Sequence, residues 1–156
     1  MKETARRLLL PVILMASVAG YAQDDLLRPA RVAPDLMSGL DLMPGAPPVP
    51  EDMVVSGNLD VRRAIPFTGE ELRVIVFESL PAKTDHTESA FEFDEFVYVL
   101  SGKLILTDLD GTAHEYTVGD SLVVPKGWRG YWEMQGNYRE LVVIATPTDS
   151  APSEQF

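Results

Sequence analysis

The feature that most constrains the fold is the stretch 94–132, in which short apolar runs alternate with turn-forming residues. The apolar runs read FVYVL, KLILT, HEYTV and SLVVP, and the turn-forming groups SG, DLDG, GD and KG stand between or after them. Short β-rich runs that are bounded at close spacing by Gly, Asp, Ser and Pro are typical of an all-β barrel or sandwich. The stretch therefore predicts an all-β fold.

The sequence on either side continues the same pattern. Predicted strands outside the central stretch cover 54–55, 61–65, 72–80, 91–93 and 140–146. Polar or glycine-bearing connections are expected at 56–58, 68–70, 81–90 and 135–137. No amphipathic helix is evident in this part of the chain. A length of 156 residues suits one domain with extensions, and we place the domain at 53–147.

The two ends of the chain follow a different logic. Residues 1–22 combine a basic start, an apolar run and small residues before Gln23, which is typical of a cleavable signal peptide. Residues 23–52 contain six prolines and predict a linker. Within it, the apolar residues from Leu36 to Met43 either form a short docking turn or are scattered along a mobile tether. Residues 148–156 are expected to be a disordered tail, and we predict a periplasmic location.

Net charge disfavours some classes of partner, and the cysteine content bears on how the domain is stabilised. The net charge of −11 disfavours binding to nucleic acid phosphates or to an anionic membrane surface. The chain has no cysteine, so an exported domain must be stable without disulfides.

The central stretch resembles the cupin superfamily, whose members are double-stranded β-helix (jelly-roll) barrels. Gly119, five residues and then the PKG of 125–127 match the second cupin motif up to its metal-ligand position. Glu95, six residues and Gly102 match the end of the first motif. Within the superfamily, the sequence looks most like the branch named for ureidoglycine aminohydrolase, which includes ethanolamine-utilisation cupins. The resemblance covers 56–144 and implies a single barrel with a binding site inside.

The metal site that this resemblance implies uses three His and one Glu. The three His positions fall here at Ser89 and Phe91 (or Glu88 and Ala90, with a gap one residue longer) and at Gly130. Glu95 alone matches, and one carboxylate does not hold a transition metal selectively. We therefore predict no metal and no cofactor.

The two histidines of the chain do not replace this ligand set. His114 follows a predicted hairpin turn and is expected at the surface or edge of the sheet. His86 lies in an acidic loop and is expected to be a solvated residue. The alternative for His86 is an unorthodox metal site that it forms together with Glu88, Glu92 or Glu95.

Strand parity predicts an apolar cavity in place of a metal cage. Val97 and Val99 share a face with Glu95, and Trp132 shares a face with Gly130. A glycine at a ligand position leaves space that Trp132 can fill, and burial there would raise the pKa of Glu95. The alternative is that the aromatic residues are only barrel core. The predicted ligand-binding residues are Phe91, Glu95 and Trp132, with Lys126, Trp128, Arg129 and Tyr131 at the barrel mouth.

Three functions are compatible with these residues. The preferred one is an exported cupin that binds a small organic molecule in its barrel without a metal. The second is an enzyme, either like ureidoglycine aminohydrolase or another isomerase, lyase or hydrolase, with Glu95 as its acid–base group. The third is a structural or partner-binding barrel without catalysis. The outward-facing Phe96, Tyr98 and Leu100 are expected to form the face of a homodimer.

Overall fold

The computed structural model describes residues 28–145, which contain nine strands, one short α-helix and one 3₁₀ turn. The elements in chain order are α1 (Pro34–Ser38), β1 (Met43–Pro44), the 3₁₀ turn (Glu51–Met53), β2 (Val54–Gly57), β3 (Val61–Thr68), β4 (Leu72–Ser79), β5 (Ala82–Asp85), β6 (Glu95–Asp108), β7 (Ala113–Thr117), β8 (Ser121–Val124) and β9 (Gly130–Ala145). Within this range no helix has the length and apolar character to cross a membrane. The predicted signal peptide at 1–22 and tail at 148–156 lie outside the described residues.

Two long antiparallel strands, β6 and β9, hold the barrel together. They pair along their length, from Glu95 opposite Ile144 to Asp108 opposite Gly130. Each long strand serves two sets of neighbours. The second half of β9 pairs with β4, which continues to β3 and β1, while its first half pairs with β5, which continues to β2. On the other side of β6, β8 pairs with the first half and β7 with the second half.

Each long strand carries a glycine with left-handed backbone angles at the point where the strand changes from one pairing partner to the next. Gly102 has φ +74° and Gly136 has φ +71°, and the register between β6 and β9 shifts on both sides of Ser101. A Cβ on Gly102 would lie 2.6 Å from the carbonyl oxygen of Gln135, so only glycine fits there. The turns predicted at SG (101–102) and 135–137 are therefore wrong, because these positions are bulges inside continuous strands.

Other local predictions divide into confirmed and wrong ones. The strands predicted at 54–55, 61–65 and 72–80 are confirmed as β2, β3 and β4. Of the strand predicted at 140–146, the described residues 140–145 form the second half of β9. The polar loop predicted at 81–90 is partly wrong, because Ala82–Asp85 is β5 and pairs with both β2 and β9. The strand predicted at 91–93 is wrong. Phe91 instead exchanges main-chain hydrogen bonds with the loop after β8, through Trp128 and Gly127.

The hydrophobic core joins both halves of the barrel. Val97 and Val99 are fully buried, and they share their inward face with Glu95 as predicted. Opposite parity leaves Phe96 and Tyr98 exposed. The buried core residues from the two halves form one cluster, which includes Val61, Leu104, Leu106, Val124, Trp132, Met134, Tyr138 and Val142.

The segment before the barrel packs on the outer face of β3, β4 and β9. Leu42 is buried, and its carbonyl accepts a hydrogen bond from Arg62. Glu78 on β4 accepts hydrogen bonds from both Arg62 and Arg139, and Arg139 also donates to the carbonyl of Met37. Of the two alternatives for this part of the predicted linker, the structure has the docking turn. The packed unit therefore extends N-terminal to Met53.

Candidate functional site

Four rings fill the part of the barrel where the sequence predicts a ligand-binding space. Phe91 and Trp132 stack with ring centres 5.5 Å apart, and Trp128 meets Phe91 edge-on at 5.3 Å. The ring of His86 lies 4.8 Å from that of Phe91 and completes this aromatic cluster. Three predicted ligand-binding residues are thus brought together, but the face of Trp132 towards Phe91 is already covered.

His86 is part of the core, so the prediction of a solvated loop residue is wrong. It is 7% exposed because it follows β5 on the same inward face as Ala82 and Thr84. Its main-chain N–H donates to the carbonyl of Gly130, and its Nε2 lies 2.9 Å from the Thr84 hydroxyl. Burial lowers the pKa of His86, and this effect is larger than the opposite effect of the Asp85 charge, which raises it. The His86 ring is therefore neutral at neutral pH.

The positions at which the cupin resemblance places metal-binding His do not fit a divalent cation. Phe91 occupies one of them with an apolar ring. At another, a Cβ on Gly130 would lie 2.2 Å from the carbonyl oxygen of Thr107 and 2.8 Å from the ring of Trp128. Across residues 28–145, no three His, Cys, Asp or Glu side chains are grouped so as to hold a metal ion. The space beside Gly130 is taken by Trp128 and main chain, and not by Trp132 as predicted.

Two carboxyl groups and a tyrosine form a second inward-facing group, the carboxyl cluster (Glu95, Tyr138 and Glu140). Tyr138 is fully buried, and its hydroxyl donates to Glu140 Oε2 at 2.6 Å. Burial raises the pKa of Glu140 to about 8. The hydrogen bond from Tyr138 lowers this pKa, and the charge of Glu95 raises it further. Burial also raises the pKa of Glu95 to about 7, the direction predicted from the sequence. The pKa of Tyr138 is raised too, by burial and then by Glu140.

A cavity of about 160 Å³ lies between β7 and β8, which both pair with β6 but not with each other. We call it the β7–β8 cavity. Its walls combine polar groups with apolar and aromatic side chains, the latter from Leu106, Tyr116, Leu122, Val124 and Trp128. An apolar cavity of about 150 Å³ holds one benzene molecule, so this space suits a single six-membered ring. Val123, which is 64% exposed, stands at its rim.

Asp108 and His114 supply the ionisable groups of the cavity wall. Asp108 Oδ1 accepts a hydrogen bond from the indole N–H of Trp128 at 2.8 Å, and Oδ2 lies 2.8 Å from His114 Nε2. These bonds, that of Trp128 first, lower the pKa of Asp108, so its carboxylate is ionised at neutral pH. His114 is exposed on the edge strand β7, which confirms its predicted position.

A larger cavity of about 300 Å³ lies between β2 and the segment that precedes it. Val49, Val54 and Leu59 contribute to its walls, and Glu51 is the ionisable residue among those that line it. A binding site needs a few polar groups that converge on the ligand together with apolar walls. The β7–β8 cavity meets that description better, because a hydrogen-bonded carboxylate, an imidazole and an indole converge on it.

The remaining predicted ligand-binding residues are more peripheral. Tyr131 points to the opposite side of β9 from Trp132, and Lys83 Nζ lies 4.8 Å from the centre of its ring. A place for Tyr131 at the barrel mouth stays a prediction. Lys126 and Arg129 are exposed on the loop that carries Trp128. A ligand-binding role for them stays a prediction.

Comparison with known proteins finds one protein family whose model matches part of this chain. A family model described as the EutQ-like cupin domain matches residues 69–140. This range contains the aromatic cluster, the carboxyl cluster and the ionisable pair of the cavity. No curated protein matches the chain.

Several solved structures are similar to this chain. A protein of unknown function from Pseudomonas syringae pv. tomato is 24% identical with a TM-score of 0.60, over 66% of this chain and 43% of that one. The Clostridium difficile EutQ protein is 23% identical with a TM-score of 0.47, over 58% of this chain and 65% of that one. The polyketide cyclase RemF from Streptomyces resistomycificus is 21% identical with a TM-score of 0.50, over 69% of this chain and 77% of that one.

These likenesses concern the fold, and the matched region spans less than two thirds of the first two proteins. The resemblance to the cupin superfamily and to its ethanolamine-utilisation members is confirmed by the family match and by the strand topology. A ureidoglycine aminohydrolase type stays a prediction. Residues 69–140 match the EutQ-like cupin domain, and the described part of the chain has an almost entirely β fold.

Proposed function

We propose that this protein is an exported cupin that binds a small organic molecule in the β7–β8 cavity without a metal. The observation that carries the proposal is a ring-sized cavity whose walls combine apolar side chains with a fixed carboxylate–imidazole pair. Export rests on the signal peptide predicted at 1–22, and we assign the protein to the periplasm on that basis. The homodimer also stays a prediction, and the exposed Phe96 and Tyr98 support it.

The cavity is a better place for a ligand than the aromatic cluster. A ligand that stacked on the covered face of Trp132 would have to displace Phe91, whose ring packs on both tryptophans. Close-packed cores resist inserted volume, with a cost of about 1–3 kcal/mol even for extra methylene groups. The β7–β8 cavity needs no such displacement. Trp128 separates the two regions and contributes to both.

A substitution that fills the cavity tests the proposal. We expect Leu122→Phe to weaken binding of a small-molecule hit by about tenfold or more, since the larger ring occupies the ligand's space. Hits would come from a fragment screen against the full-length protein, with Kd measured by NMR titration. Ser121→Phe is the matched control, because Ser121 is exposed on the opposite face of β8. Equal Kd values in Leu122→Phe and wild type would place the ligand elsewhere and overturn the proposal.

A second candidate function is proton transfer by Glu95. Its support is the raised pKa of about 7, since a general acid–base works best near the pH at which the enzyme operates. Glu95 stands opposite Val124, which is part of the cavity wall, so a ligand there would be near it. If this function is real, a bound carbon acid exchanges its proton with D₂O in the wild type at least about a hundredfold faster than in Glu95→Gln. Equal exchange rates in the two proteins would remove Glu95 from the reaction.

A further inference from the structure

The hydrogen bonds of the β7–β8 cavity fix the position of the proton on His114. The ionised Asp108 can only accept hydrogen bonds, so the His114 nitrogen that faces it, Nε2, must carry a hydrogen. In the neutral imidazole the other nitrogen, Nδ1, then has a free lone pair. Within residues 28–145, Nδ1 has no hydrogen-bond partner. His114, a half-exposed residue of the cavity wall, therefore has one nitrogen available to accept a hydrogen bond from a ligand.

Asp108 is itself held in place from the other side. Each of its two oxygens already accepts a hydrogen bond, one from His114 and one from the indole of Trp128. Trp128 is in turn packed edge-on against Phe91. The orientation of the His114 ring thus depends on the packed aromatic cluster, which makes Nδ1 a preorganised acceptor.

The charge around the cavity restricts the ligand further. The chain has a net charge of −11, and the carboxylate of Asp108 lies in the wall itself. An anion would be repelled at short range by Asp108 and at longer range by the whole protein. The space is wide enough for one six-membered ring, and its walls offer apolar side chains beside the polar pair. These properties exclude an anion and describe a ring compound that carries a hydrogen-bond donor; the neutral and the cationic members of that class are distinguished by the probes below.

We infer that the β7–β8 cavity takes a one-ring hydroxylated molecule of the phenol class, whose hydroxyl donates to His114 Nδ1. This inference rests on the proposed function and adds the chemical class of the ligand. Asp108 acts as a positioning residue that selects the His114 tautomer. Leu106, Leu122 and Val124 contact the ring of the ligand.

Four probes of similar size test this class against its alternatives. Phenol, toluene, benzoate and benzylamine would each be titrated into the full-length protein at pH 8, with Kd measured by NMR. We expect phenol to bind at least about tenfold more tightly than toluene, which lacks the donor. Benzoate is expected to bind more weakly than toluene. Benzylamine as the tightest probe would indicate a cation site at Asp108 and would overturn the inference.

Variants of the positioning pair separate recognition from folding. His114→Phe should remove the preference for phenol over toluene while toluene still binds, and Asp108→Asn should reduce that preference. Glu115→Gln is the matched control, because Glu115 lies next to His114 on β7 but pairs with Lys103 on the other face. The ¹⁵N shifts of His114 in the wild type should show a protonated Nε2 and an unprotonated Nδ1. The opposite tautomer would overturn the inference whether or not the variants fold.

The outcomes also distinguish this inference from the proposed function. If toluene and phenol bind equally and Leu122→Phe abolishes both, the cavity binds a ligand but its class is not phenolic. The proposed function then stands, and the inference falls. If none of the four probes binds the wild type, the inference is overturned, while the proposed function falls only if no hit of the fragment screen is weakened by Leu122→Phe. If phenol binds selectively and Leu122→Phe weakens it, both are supported.

Discussion

Gly130→Ala is expected to lower the free energy of unfolding by about 4 kcal/mol or more, or to leave the protein unfolded. The added methyl carbon would lie 2.2 Å from the carbonyl oxygen of Thr107 and 2.8 Å from the ring of Trp128. Gly130 is the first residue of β9, where it pairs with the end of β6, so the main chain cannot move away without breaking the ladder between the two long strands. Urea denaturation followed by circular dichroism measures the effect.

Gly119→Ala is the matched control for this prediction. Gly119 also has a positive φ, +94°, but no heavy atom lies within 4 Å of the position that its Cβ would take. The cost should therefore be the backbone strain alone, about 1–2 kcal/mol. A similar loss of stability in both variants would mean that the close approach of Thr107 and Trp128 to Gly130 is not what requires glycine.

The packing around Gly130 also explains why a metal-binding histidine does not fit at this position. A histidine at this position would need the space that Trp128 occupies. Trp128 in turn gives its indole N–H to Asp108 and so connects the aromatic cluster to the β7–β8 cavity. The indole of Trp128 thus both excludes a histidine at position 130 and holds Asp108 in place.

The sequence predicts the barrel well because its signals are local. Glycines, turn residues and apolar alternation specify strands independently of what the strands contact, and the inward face of Glu95, Val97 and Val99 follows from parity alone. The bulges at Gly102 and Gly136 were misread as turns. A glycine in a strand-like run is equally compatible with a turn and with a bulge, and the pairing partner across the sheet decides between them.

His86 shows where local reasoning fails. The segment around it is rich in polar residues and follows Pro81, so composition favours a loop. The signal that it belongs to a strand is the alternation of Ala82, Thr84 and His86 on the buried face with Lys83 and Asp85 on the other. That alternation has physical meaning only when β9 lies alongside, and β9 is about 50 residues away in the chain.

The candidate site was missed for a related reason. Asp108 reads as the start of a hairpin, and its contact with Trp128 joins residues twenty positions apart. The carboxyl cluster was missed because Glu140 precedes an apolar run that dominates the pattern. Period-two counting back from Val142 would have placed both Glu140 and Tyr138 on the inward face.

Glu140 and Glu95 should make the stability of the protein fall as pH rises. Their folded-state pKa values are raised from 4.5 to about 8 and about 7, so the folded state keeps protons that the unfolded state has released. Their stabilising contribution is full below the unfolded pKa and is lost as pH rises through the folded pKa values. We expect the free energy of unfolding to fall by about 2 kcal/mol or more between pH 6.5 and pH 8.

The range above pH 6.5 avoids an opposite effect from His86. The pKa of this buried imidazole is lower in the folded state than in the unfolded chain. As the pH falls, the unfolded chain therefore takes up the proton first, which lowers the free energy of unfolding. This contribution lies mainly below about pH 6.5. Tyr138, the third member of the carboxyl cluster, has a raised pKa and does not titrate in this range. The fall in stability between pH 6.5 and pH 8 therefore reports chiefly on the two glutamates.

Glu140→Gln identifies the larger contribution. The glutamine side chain still accepts the hydrogen bond from the Tyr138 hydroxyl but cannot ionise, so the variant should lose more than half of the pH dependence. At pH 8 it should be more stable than the wild type by about 2 kcal/mol or more. Glu133→Gln, on the opposite face of β9, should leave the slope unchanged. Urea denaturation at several pH values measures these slopes, and an unaltered slope in Glu140→Gln would assign the proton uptake to another group.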